Sequence, residues 1–226
     1  MQETSGTSSP IIVKGRAPIT CSRFVAFLDI LGFKDRVARS THAQVLNTLQ
    51  GLQKKISESM ESHKEEGLQI SLFSDSIVIF SKNDSRKSLI SLSNVTLDIM
   101  RYAIGEKIPM KGAIAKGKIT CDTTKQLFFG QALIDAFQLQ ESTKYYGVVV
   151  HHSAEEDAKD LPIYFQDTEA YIEGSRIHHY ELLWHRFDCI PQKEIQNSLS
   201  LLRNSVSGEP RKYIDNTMKI IKNGTN

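Results

Sequence analysis

Apolar residues along this 226-residue chain follow two rhythms. Residues 23–30 form a nearly continuous run with Phe24, Val25, Ala26, Phe27 and Leu28, as expected of a strand covered on both faces. Leu31-Gly32-Phe33 breaks the run, and a helix is expected from about Lys34. From His42 to Glu66 the rhythm changes. Val45, Leu46, Leu49, Leu52, Ile56 and Met60 recur at three- and four-residue intervals, the stripe of a helix with one buried side. Lys64-Glu65-Glu66 gives that helix a charged end, and Gly67 is placed to stop it. Leu68–Phe73 and Ile77–Phe80 are β-rich runs separated by Ser74-Asp75-Ser76, which predicts a hairpin with Asp75 at its tip.

Asp84-Ser85 can cap a second helix striped by Leu89, Leu92, Val95, Ile99 and Ala103, ended by residues 105–109. Met110–Ile119 reads as a glycine-punctuated strand in which backbones approach closely. Residues 128–145 open on Phe-Phe-Gly and continue as a helix through Leu133, Ala136, Phe137 and Leu139. Residues 147–150 and Tyr180–Phe187 are predicted strands, and the chain from Pro191 is polar and helical, interrupted at residues 207–210. No internal repeat is visible. The order predicts an α+β fold: helices on one face of a mostly antiparallel sheet, with a ferredoxin-like βαββαβ core.

Two aspartates stand out against this pattern. Asp29 and Asp75 each lie at the end of an apolar strand, where nothing in a strand core would neutralise a carboxylate. Brought together, two such tips make an all-oxygen site of the kind that holds Mg2+ or Mn2+ with a nucleoside triphosphate.

Charge and composition narrow the classes. A net charge of +2 with no dense Lys/Arg run gives no basis for nucleic-acid binding. Cys21, Cys121 and Cys189 are far apart, without metal or disulfide-framework spacing, which fits a reducing, cytoplasmic setting. No apolar stretch approaches the roughly 20 residues of a membrane span, and the polar Met1–Pro10 has no signal-peptide core. Residues 1–20 are expected to be a flexible lead, 21–188 the main domain and 189–226 a helical C-terminal extension.

Three segments resemble the class III nucleotide cyclases. Phe27-Leu28-Asp29-Ile30-Leu31-Gly32-Phe33 is similar to the family's first metal motif, and Phe73-Ser74-Asp75-Ser76 to its second. Lys111 to Gly117, with Phe129-Gly130-Gln131-Ala132-Leu133 and the helix to Glu141, resembles the later strand and helix. Within the family the likeness is greatest to the bacterial Pycsar pyrimidine cyclases. The resemblance implies a cytoplasmic enzyme that converts UTP, or less readily CTP, to the 3',5'-cyclic monophosphate and pyrophosphate in antiphage defence. It further implies a head-to-tail homodimer and a separate cyclic-nucleotide-responsive effector. Asp29 and Asp75 would be catalytic, holding two Mn2+ or Mg2+ ions with the Ile30 carbonyl. Leu31, Gly32 and Phe33 would offer backbone N–H groups to the phosphates, where a helix start favours anions. Lys111 and Arg176 are the nearest basic candidates for the triphosphate. Phe24, Phe27, Phe33 and Phe73 read first as core, with Phe24 or Phe33 available to stack on a base.

The departures matter as much. The stretch Leu133–Leu139 lacks the Asn and Arg that adenylyl cyclases carry there, and Glu173-Gly174 replaces their Lys-Gly. That keeps open a catalytically silent, nucleotide-binding regulatory module. A polymerase-palm or diguanylate-cyclase-like enzyme shares the core and the paired acids, but the Gly-Gly-Asp/Glu-Glu-Phe turn of the latter is absent. His151-His152 and His178-His179 are adjacent pairs whose side chains diverge on a strand, a poor basis for zinc. Asp135 and Gln138 are expected on a polar helix face or a dimer surface, and Asp35 in the first turn of its helix.

Overall fold

The computed structural model describes residues 19–63, 66–186 and 191–223. The elements run β1 (Thr20–Ile30), α1 (Phe33–Arg39), α2 (His42–Ser62), β2 (Gln69–Phe73), β3 (Ser76–Phe80), α3 (Arg86–Gly105), β4 (Met110–Asp122), β5 (Leu127–Gly130), α4 (Gln131–Ser142), β6 (Val148–Val150), α5 (His152–Lys159), β7 (Phe165–Ile172), β8 (Ser175–Leu182), α6 (Gln192–Ser205) and α7 (Glu209–Asn223). The sheet order is β2-β3-β1-β4-β6-β8-β7, with β5 paired to β4. Its first four members have the arrangement of a ferredoxin-like split βαβ unit, and β4 and β6 are parallel.

Local chemistry sets the boundaries. Thr41 and Gln44 form a reciprocal capping box that starts α2, and Ser85 caps α3 by accepting from the Ser88 N–H. The β2–β3 hairpin turns in two residues, Ser74 taking a φ of 56°. Gly112 is obligatory: a Cβ there would collide with the Leu28 side chain and the Phe27 carbonyl of β1. The close approach expected of the glycine-punctuated strand is therefore real.

Several sequence expectations need correction. Helices cover both faces of the sheet. Phe24, Ala26 and Leu28 pack with α2 and α3 in the main core, whereas Val25 and Phe27 face the small side chains Ala132 and Ala136 of α4. Alternation along β1 thus serves two cores. The Phe-Phe-Gly segment is strand β5, and its helix begins only at Gln131. The closing strand is Ser175–Leu182, not Tyr180–Phe187, and it hairpins with the unforeseen β7. Helix α5 was also unforeseen; its His151 cap reads as a strand end because Val148–Val150 runs straight into it. The C-terminal helices pack on the main core, with Ile195, Leu199, Ile214 and Ile221 in its apolar cluster. Helix α2 ends at Ser62 with His63 as its C-cap, short of the expected Glu66 and of Gly67 as its stop, because the apolar stripe that holds it to the core ends at Met60. Most of the lead 1–20, residues 64–65 and the 188/189 boundary lie outside the described residues. Among the described residues, no helix is long and apolar enough to cross a membrane.

Candidate active site

Strand pairing brings the two aspartates together. Asp29 is the cross-strand partner of Ser76 on β3 and of Lys111 on β4, so the hairpin turn holding Asp75 sits beside it. The Ile30 N–H donates to the Asp75 carbonyl at 3.1 Å, which ties the end of β1 to the turn. Asp29 is half-buried, and its carboxyl is pushed up to about 6, first by burial and then by the nearby Asp75 charge. Lys111 opposes that rise, while Glu141 at the end of α4 adds to it. Three acids outnumber the Lys111 ammonium and that of Lys144, which donates to the Glu141 carbonyl at the same helix end, and an all-oxygen donor set short of positive charge fits a hard divalent cation. Among the described residues no cluster of three or more His, Cys, Asp or Glu could hold a metal ion.

The remaining predicted residues divide sharply. Leu31 donates its N–H to the Pro109 carbonyl at 2.8 Å, so it is not a phosphate donor in this state. Gly32, at φ +70°, accepts from Arg36 as α1 begins, leaving the first-turn N–H groups of Gly32 and Phe33 without intrahelical partners. Lys111 is 3% exposed. Its ammonium donates to the Glu141 and Thr143 carbonyls at 3.1 and 3.4 Å, capping the C-terminal end of α4. Burial lowers its pKa, an effect partly offset by Glu141. Lys111 therefore positions α4 against Asp29 rather than pointing freely into a phosphate site.

Phe24 is fully buried in the main core, with the Lys116 ammonium 5.4 Å from its ring centroid, and cannot reach a substrate base. Phe33 is partly buried against the same cluster. Phe73, expected in the core, is 80% exposed at the end of β2. Arg176 pairs with Glu169 at 2.7 Å on the β7–β8 hairpin. That hairpin is three strands from β1, about 14 Å at ordinary strand spacing. Within one chain it does not join the aspartates. Asp135 accepts from Gln131 on α4, and the histidines have local roles: His151 caps α5, His178 meets Asp167 and His179 meets Glu155. Glu141 is the acid that sequence reasoning missed; nothing in a helix-ending Glu-Ser-Thr says that the helix stops beside Asp29.

No protein-family model matches the chain, and no curated protein does. Solved structures do. The guanylyl cyclase domain of the RhoGC fusion protein from the aquatic fungus Blastocladiella emersonii superposes with a TM-score of 0.57 at 16% identity, covering 72% of this chain and 94% of that one. The guanylate cyclase domain of RhGC from Catenaria anguillulae, solved in complex with GTP, gives 0.54 at 18% identity over 71% and 95%. The adenylyl cyclase CyaB from P. aeruginosa gives 0.53 at 14% over 73% and 95%. At these identities the likeness is one of fold, and the fold is that of nucleotide cyclase catalytic domains. Their substrates are adenine and guanine nucleotides where their names state one.

Proposed function

We propose that the protein is a metal-dependent nucleotidyl cyclase. The observation that carries this reading is the tethered pair Asp29–Asp75 at the joint between β1 and the β2–β3 turn, deficient in positive charge and set in a cyclase fold. In the reaction the substrate's 3'-oxygen forms a bond to the α-phosphorus, the α–β phosphoanhydride bond breaks, and the hydroxyl proton leaves to solvent. Two Mn2+ or Mg2+ ions held by Asp29, Asp75 and the Ile30 carbonyl would supply Lewis-acid stabilisation of the attacking and leaving oxygens. The Gly32 and Phe33 N–H groups bind phosphate oxygens, and Lys111 fixes the end of α4 beside Asp29.

The proposed substrate is UTP, with CTP second, and the proposed role is second-messenger synthesis in antiphage defence. Support comes from the motif resemblance and from α4, whose Gln131–Ser142 sequence contains neither Asn nor Arg. The protein is proposed to work as a homodimer. Leu72, Phe73, Leu127, Phe129, Ile134 and Phe137 are all exposed, on the β2–β3 tip, β5 and α4. That much apolar surface on the cyclase elements fits a second copy better than water.

The composition of α4 also favours a second reading, a silent domain that binds nucleotide without turnover. One assay separates the two: purified protein with each of the four NTPs and Mn2+, and products identified by mass spectrometry. A cyclic pyrimidine nucleotide supports the proposal. Cyclic AMP or GMP alone removes the pyrimidine assignment. Absence of any cyclic product at dimer-forming concentration removes the enzyme.

A further inference from the structure

The Leu31–Gly32 segment forms one wall of an open-sided cleft of about 580 Å3, between α1 and the hairpin formed by α6 and α7. That volume lies in the range of small-molecule sites. Its lining is mixed. Pro109, Val206 and Ile214 are apolar, Tyr146 and Tyr213 are aromatic, and α1 contributes Arg36 and Arg39. The two tyrosine rings stack with centroids 6.4 Å apart, and the ammonium groups of Lys111 and Lys144 lie 5.8 and 5.9 Å from the Tyr213 centroid. Two acids share the lining, Asp35 and Glu209, the latter 4.0 Å from Lys212.

Helix α1 has an unusual status in this region. It is seven residues long and none of its residues is buried. It is attached to the body of the domain by its ends, by Phe33, which packs partly against the main core, and by the contact of Arg36 with the Lys107 carbonyl at 3.4 Å. With no fully buried residue, the helix derives little stability from packing beyond its Phe33 anchor, so a ligand beneath its Arg36–Arg39 end changes the position of that end at low cost. The same helix begins with the Gly32 and Phe33 donors assigned above to phosphate.

We infer that this cleft is a second ligand site, which takes a nucleotide: a flat heteroaromatic ring against Tyr213 and a phosphate on Arg36 and Arg39. Aromatic stacking with paired guanidinium groups is the chemistry that recognises that class. Occupancy fixes α1 and so sets the geometry of the Gly32–Phe33 donors. Only this coupling rests on the proposed function; binding itself does not.

The test is calorimetric and runs in EDTA, so the metal centre contributes nothing. UMP, AMP and cyclic UMP are titrated into the full chain, with uridine and inorganic phosphate as the two halves of the ligand. The expected result is one site per chain for at least one nucleotide, at least tenfold tighter than either half. That site is retained in the Asp29→Ala/Asp75→Ala double variant. It weakens at least tenfold in Arg36→Gln/Arg39→Gln, whose changes lie on a surface helix, and in Val206→Trp, which fills the cleft. Absence of nucleotide binding at millimolar concentration overturns the inference. So does binding no tighter than phosphate alone, or binding that is lost with the aspartates and indifferent to the arginines.

Discussion

Among the described residues, two carboxyl groups are held above the ordinary carboxylate range, on strands three places apart in the sheet. Asp29 rises to about 6 at the β1 end, and Glu181 to about 8 on β8. Burial is the first cause in both, but what surrounds them differs. Asp29 is half-buried, with a second acid as its next-largest influence and an edge open to solvent. Glu181 is 1% exposed, lies across from Gln166 on β7, and has Arg186 and then Tyr145 as partial offsets. The Tyr145 hydroxyl is near it without a hydrogen bond of good geometry, and both Glu181 oxygens lack a partner among the described residues. A strained carboxyl that an ion can reach is a place for a cation; one sealed from solvent is a place for a proton.

The largest effect that sharpens this contrast is on turnover. Asp29→Ala and Asp75→Ala should each lower cyclic-nucleotide formation by roughly a thousandfold or more, a loss of about 4 kcal/mol of transition-state stabilisation. Melting temperature should stay within a few degrees of the parent, because neither side chain fills a core. Unchanged turnover in both would remove the pair from the chemistry. Mn2+ affinity, read by calorimetry, should be level above about pH 6 and fall about tenfold per pH unit below it, as a proton competes for Asp29. A flat profile between pH 5 and 6 would contradict that assignment.

Glu181 should act on stability alone. Its folded value of about 8 lies above the ordinary 4.5, so the folded state keeps a proton that the unfolded chain has released between those values. Its contribution is therefore fully present below about pH 4.5 and lost as pH rises through about 8, with a slope of at most about 1.4 kcal/mol per pH unit. His185, lowered to about 4, has the opposite sign, but only below its ordinary 6.5. Denaturant melts from pH 6.5 to 8 isolate Glu181, and Glu181→Gln should flatten them. A slope that persists in the variant would place the titration elsewhere. The smallest expected change is Lys111→Met, which removes the two charge-assisted bonds to the end of α4. It should cost about 1–3 kcal/mol, and it should raise the Asp29 pKa further, since Lys111 opposes that rise. NMR titration of the Asp29 carboxyl reads the second effect.

The contrast also explains what the sequence could reveal. Asp29 was legible because a carboxylate within Phe-Leu-Asp-Ile-Leu-Gly-Phe breaks an apolar strand, and Asp75 because a hairpin turn is written in local residues. The βαββαβ core was legible for the same reason: rhythm and turn chemistry are local. Glu181 was not, since Tyr-Glu-Leu-Leu on its own reads as an ordinary alternating strand, and its burial depends on β7, which itself went unseen. Lys111 looked like a phosphate ligand until the end of α4 was found against its ammonium. Helix α4 on the second face could not be anticipated from its stripe, because small residues such as Ala132 and Ala136 do not announce which surface they meet. For Glu181, Lys111 and α4 alike, the deciding contacts are non-local.

Phe73, the most exposed large apolar residue described, stands two residues from Asp75. In the proposed homodimer, covering that ring and ordering the metal turn become a single event, so the amount of competent catalyst follows mass action. Specific activity should then rise with enzyme concentration and level off once dimer predominates, and Phe73→Ser should move that midpoint to higher concentration. Such an enzyme would register the abundance of its own chain: a modest change in expression would be felt as a steeper change in output.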